Sequence, residues 1–127
     1  MTAGIIGQGV DLKPKADFDA GLPASPRFAA LGDGERAARV ESNSDWGEMV
    51  CRCEHVTRAE VAAALRNPFG ARTMDAVKRR ARCGMGRCQG GFCTPRIVEI
   101  LQEEGMPLDR ITKRGGGSRL FYGRIKG

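Results

Sequence analysis

Five cysteines in two tight groups constrain this chain more than any other feature: a C-x-C pair, Cys51 and Cys53, and a C-x4-C-x4-C run, Cys83, Cys88 and Cys93. Thiols one residue apart are too close for a comfortable structural disulfide between them. They aim at roughly one spot, which makes a shared ion or cluster the better first reading, and the fold must bring partners from the second group to the same place. A chain of 127 residues, 41% hydrophobic with few aromatics, suits one domain with a modest core. A metal-centred staple would reinforce it. The cysteine count is odd, and the opening MTAGIIGQGVDLKPK lacks the basic stretch and long apolar run of a secretory signal. Both point to a reducing, cytoplasmic setting. No apolar run approaches the roughly 20 residues needed to cross a bilayer. No direct membrane insertion is therefore expected, and any membrane association would come through a partner.

The net charge of +6 is localised. Between positions 72 and 96, Arg72, Lys78, Arg79, Arg80, Arg82, Arg87 and Arg96 are set against a single acid, Asp75, and this segment accounts for the whole excess. A solvated helix face and a functional field are both open readings; in the second, Arg79, Arg80 and Arg87 steer an acidic partner. A basic helix followed by a turn superficially resembles a nucleic-acid reader. The stacking aromatics are few and the turn is filled with cysteines, so no nucleic-acid partner is expected.

Hydrophobic spacing and capping residues predict three helices in the middle of the chain. Thr57 and Glu60 form a capping box that opens a helix to about Arg66, with Val61, Ala64 and Leu65 inward and Asn67-Pro68 as the stop. Thr73 caps a second helix to about Arg82, with Met74, Val77 and Ala81 inward and Gly84 at the C′ position. Thr94 as cap and Pro95 at the first helical position begin a third, with Ile97, Ile100 and Leu101 buried, ending at Gly105. Residues 1–27 read as an extended lead-in, Phe28 to Val40 as a short helix interrupted by GDG, GGGS as a flexible turn, and RLFYGRI as a docked strand. The glycines of GIIGQG are not in dinucleotide-binding order.

Four ligands complete either a tetrahedral zinc site or a 2Fe-2S cluster, which leaves one cysteine spare. Cys83 lies at a helix C-terminus, where the dipole disfavours a thiolate, whereas Cys93 precedes a helix N-terminus, where it is favoured. Gly90 and Gly91 let the backbone curl round a cluster and aim N–H groups at sulfur. The expected ligand set is Cys51, Cys53, Cys88 and Cys93. C-x-C is atypical of structural zinc, so iron-sulfur leads, with zinc and free or redox-switching thiols as alternatives. His55 beside the pair reads as a surface residue. Trp46 and Phe92 are expected to shield the centre from water, and Met49, Met74 and Met85 to fill gaps in the core.

The stretches VCRCEHVT and DAVKRRARCGMGRCQGGFCTPRIVEIL resemble the 2Fe-2S domain related to bacterioferritin-associated ferredoxin. The closer resemblance is to the C-terminal region of anaerobic-type, FAD-dependent glycerol-3-phosphate dehydrogenases and related flavin oxidoreductases. It extends through GVDLKPKADFD, PRFAALGDGERA, DWGEMVCRCE and ITKRGGGSRLFYGR, roughly residues 9–125. The resemblance implies the same four ligands, and the family usually has a small non-cysteine residue where Cys83 stands. Those dehydrogenases carry a large flavin- and substrate-binding region; no Rossmann fingerprint is present here, so FAD is expected only on a partner or a missing domain.

The expected fold is thus mainly α: a small helix-turn-helix-like array with cysteine loops around a 2Fe-2S cluster, an extended N-terminal segment and a strand-like C-terminal tail. Residues 1–45 form the lead-in with its short helix, 46–113 the cluster-binding domain and 114–127 the Gly-rich turn and tail. The expected function is an electron-transfer module of a FAD-dependent dehydrogenase of the glycerol-3-phosphate dehydrogenase type, not catalytic alone. The alternatives are a structural four-cysteine docking domain, with zinc or a redox-silent cluster, and a ferredoxin-like partner of an iron-storage protein.

Overall fold

The computed structural model describes residues 16–17 and 27–123. The GIIGQG stretch, most of the expected lead-in and the last residues of the tail lie outside that range. The described part is mainly helical, with α1 (Asp33–Ser42), α2 (Arg58–Arg66), α3 (Met74–Ala81) and α4 (Cys93–Glu103), and a two-stranded antiparallel sheet, β1 (Met49–Cys51) and β2 (Val56–Thr57). Single 3-10 turns at Phe28–Ala30, Ser44–Trp46 and Leu108–Arg110 link the elements.

Local chemistry explains most element ends. Glu60 reaches back to accept the Thr57 backbone N–H at 2.8 Å, and the Thr57 side chain donates to the same carboxylate at 3.0 Å. This is the expected capping box of α2. The second Glu60 oxygen accepts from the Phe28 N–H at 3.2 Å, tying the first 3-10 turn to the helix start. Thr73 caps α3 by accepting from Ala76 N–H at 3.1 Å. Carbonyls of Thr112 and Lys113 take the N–H groups of Met74 and Asp75, so the tail completes that helix terminus.

Four local expectations need correction. GDG does not interrupt a helix: Gly32 is the N-cap of α1, and Glu35 accepts its N–H at 3.0 Å. The left-handed residue ending α3 is Arg82 (φ 65), not Gly84, whose φ of 82 serves the following loop. α4 starts at Cys93, not after a Thr94 cap; Pro95 is its third residue, still within the first turn, where a missing N–H costs nothing. RLFYGRI forms no regular strand over its described part. Thr112 and Arg119 make one bridge, Leu120 N–H donates to Ile111, and Ser118 closes the glycine turn on Gly115 O at 2.6 Å.

α2 packs against α3 and α4, and α4 lies against β1. Val61, Val77, Ile100 and Ile111 are fully buried between them, with Ile97 and Leu101 nearly so. Cys51, Cys83 and Cys93 belong to the same cluster. The cysteine region is therefore one wall of the core, and Arg58, the first residue of α2, ties the Ser44–Trp46 turn through Asp45 (3.0 Å) to the end of α4 through Glu103.

Candidate metal centre

The two cysteine groups meet through a β-hairpin that residue order alone did not announce. β1 pairs with β2 in the register Met49↔Thr57 and Cys51↔Val56, so Cys51 is held on a strand and Cys53 falls in the connecting turn. One hairpin thus carries both thiols to the same cavity, Cys51 from the end of its strand and Cys53 from its turn. The turn also contains His55 at φ 50, exposed and outside the cavity wall. The available signal was the apolar pair Met49-Val50 leading into the first cysteine.

The second group comes from the loop between α3 and α4. It closes on itself through Gln89 N–H to Gly86 O (2.9 Å) and Gly91 N–H to Cys88 O (2.9 Å), with Gly90 at φ 90. Gly86 lies directly against the hairpin: a Cβ there would stand 2.2 Å from Cys53 Cβ. Such an approach is open only to glycine. It brings Cys53 Sγ and Cys88 Sγ to 3.7 Å.

Cys51, Cys53, Cys88 and Cys93 all line one cavity of about 550 Å³, together with Met49, Val50, Arg52, Phe92 and Arg96. Among the described residues no three His, Cys, Asp or Glu side chains are grouped as ligands of a single ion. The four thiols are spread around a space large enough for a polynuclear centre. Backbone N–H groups of Phe92 and Gly90, then the Cys53 thiol, hold the Cys88 pKa below its ordinary value. Burial, followed by the neighbouring Cys51, pushes Cys93 up to about 11. The helix N-terminus therefore does not dominate at Cys93 as expected; the loop's N–H groups favour a thiolate at Cys88 instead. A centre of two irons would replace those protons and satisfy the same sulfurs, so the donor set fits a 2Fe-2S cluster.

Cys83 is 2% exposed and is absent from the cavity wall. It packs behind the site against Cys51 and Cys93, and burial is the first cause of its strongly raised pKa. Its absence from the cavity wall separates it from the other four; burial does not, since Cys51 and Cys93 are equally buried.

The surroundings depart from expectation in three ways. Trp46 does not flank the cysteines: it stacks on Phe28 (6.1 Å between ring centres) and carries Arg39 over its face. Phe92 does line the cavity but is 87% exposed, so it does not exclude water. Met49 is 38% exposed at the cavity wall and fills no core gap, whereas Met74 does pack on the core. The positive field is also partly spent internally. Arg96 is held by Glu48 at 2.5 Å, Glu99 at 2.8 Å and Glu103 at 3.2 Å, and Arg82 by Glu54 at 3.0 Å. Arg79 and Arg80 line a separate cavity with Thr73 and Arg114.

Residues 49–103 match the family described as the BFD-like [2Fe-2S] binding domain. The chain is 43% identical over 116 residues to a glycerol 3-phosphate dehydrogenase of Caloramator mitchellensis, covering 91% of this chain and 24% of that protein. It is 36% identical over 138 aligned residues to an anaerobic glycerol-3-phosphate dehydrogenase subunit of Haloferax volcanii, covering 94% and 22%. With an opine oxidase subunit of Rhizobium meliloti it shares 51% identity over 54 residues, 42% of this chain and 11% of that protein. The chain thus spans about a quarter or less of the length of these curated relatives. No solved structure matches it. No helix of the described residues is long and apolar enough to cross a membrane. The stretch that forms the hairpin, the glycine loop and the three packed helices, residues 49–103, is the part of the chain that resembles the BFD-like [2Fe-2S] binding domain.

Proposed function

We propose that Cys51, Cys53, Cys88 and Cys93 hold a 2Fe-2S cluster and that the chain is the electron-transfer module of a FAD-dependent dehydrogenase of the glycerol-3-phosphate dehydrogenase type, working in a reducing, cytoplasmic setting. The observation that carries this reading is the convergence of four thiols, from a hairpin and a glycine loop, on one cavity. A bound 2Fe-2S cluster takes up and returns one electron at a time. The chain's own residues hold and tune it. Cys51 and Cys93, 1% and 2% exposed, anchor the centre to the core. The N–H groups of Gly90, Gly91 and Phe92 point at Cys88 and offset negative charge there. Substrate and FAD belong to the partner subunit or domain, so the module catalyses nothing alone.

Anaerobic iron and sulfide analysis with visible absorption and EPR, before and after dithionite, tests this. Two irons and two sulfides per chain, with an EPR signal only on reduction, are expected. One zinc without sulfide, or no iron after reconstitution, would overturn it in favour of a structural docking domain.

A further inference from the structure

The four cysteines are unequally covered. Cys51 and Cys93 are buried, whereas Cys53 is exposed and Cys88 half-buried. The cavity therefore has a core wall and an open edge. At that edge Phe92 is 87% exposed and Met49 38% exposed. Phe69 and Tyr122 are each 85% exposed as well, but neither lines this cavity. Leaving a ring in water beside a reactive centre forgoes burial free energy that a partner can recover. The charges point the same way. Arg52, in the cavity wall, and Arg87, next to Cys88, are exposed. Neither makes an ion pair among the described residues, in contrast to Arg82 and Arg96.

We propose that this open edge is the electron-exchange face, with Phe92 and Met49 as its apolar centre, Arg52 and Arg87 as its positive rim, and the acidic-rimmed surface of a flavoprotein as its occupant. The inference rests on the cysteines being cluster ligands. Electron transfer weakens steeply with distance, and Cys53 and Cys88 are the sulfurs nearest solvent. A positive rim there draws an acidic partner toward the short path, and the apolar centre seats it.

The probe is reduced flavodoxin, a small acidic FMN protein, mixed with the oxidised, reconstituted full chain in a stopped-flow instrument. One electron passes from the reduced flavin to the cluster, and bleaching of the visible band reports it. The rate constant is expected to fall as ionic strength rises. Arg52→Glu with Arg87→Glu should lower it at low salt by at least about threefold. Phe92→Ala should lower it while leaving the salt dependence unchanged. Arg79→Glu with Arg80→Glu makes the same change in net charge at a separate cavity and should leave the rate within about twofold. An equal loss in that control, or no loss in the Arg52/Arg87 and Phe92 variants, would overturn the proposal. Should the charge reversal impair loading, Arg52→Gln with Arg87→Gln, set against Arg79→Gln with Arg80→Gln, provides the same comparison. EPR of each reduced variant identifies an intact cluster. Failure of the ligand reading itself would show differently, as an unaltered chain that binds no iron.

Discussion

Gly86→Ala tests the idea that the site depends on close approach between the glycine loop and the hairpin. The new Cβ would stand 2.2 Å from Cys53 Cβ, 3.3 Å from its Sγ and 3.4 Å from its Cα. Carbon atoms in contact settle at about 3.5–4.0 Å, so hairpin and loop must part by more than about 1 Å. Gly86 is not among the positive-φ glycines, and the penalty is therefore steric rather than conformational. Overpacking of this kind costs about 1–3 kcal/mol. In a domain of this size that lowers Tm by roughly 4–8 °C for each kcal/mol. Because Cys53 and Cys88 Sγ lie 3.7 Å apart across this contact, the same movement should reduce iron retained after reconstitution. Circular-dichroism melting of the metal-free chain and iron analysis of the reconstituted one measure the two effects separately. Gly117→Ala, whose added Cβ meets nothing within 4 Å, is the control. A Gly86→Ala chain that melts with the control and loads full iron would refute the reasoning.

Three further outcomes are expected. Cys88→Ser should abolish or severely weaken assembly, whereas Cys83→Ala should retain the visible spectrum; Cys83→Ser, burying a hydroxyl in the core, should cost about 1–3 kcal/mol in a urea titration. Glu103 and Glu104 both have pKa values held below the ordinary 4.5, the first chiefly by its hydrogen bond from Arg58 and the second by that from Arg66. A depressed folded pKa gives stability that is present above the unfolded value and lost as pH falls through the folded one. The urea midpoint should therefore fall below about pH 4.5, and Arg66→Gln should flatten that fall. Gly34→Ala, on an exposed face of α1 with nothing within 4 Å of its added Cβ, should raise stability by up to about 1 kcal/mol in the same titration.

The sequence by itself determined the parts whose causes are local. Thr57 with Glu60 and Thr73 with Ala76 mark helix starts because a side chain meets a backbone group three residues away, a distance the chain cannot alter. Apolar spacing named Val61, Val77, Ile97, Ile100 and Leu101 as core for the same reason. The unusual cysteine and glycine pattern pointed to an iron-sulfur domain through residue order alone. Tertiary structure decided what depends on contacts between distant segments. Strands β1 and β2 are too short to announce themselves and exist because they pair with each other and pack on α4 and α2 respectively. Arg96 looked like part of a free positive field until folding brought Glu48, from a distant segment, against it beside Glu99 and Glu103 of its own helix. Phe92 and Trp46 looked alike as shields, yet one is left in water at the cavity and the other is stacked on Phe28 away from it. A residue's exposure and charge neighbours are properties of the packed chain, because burial and Coulomb energy depend on distances that residue order alone does not specify.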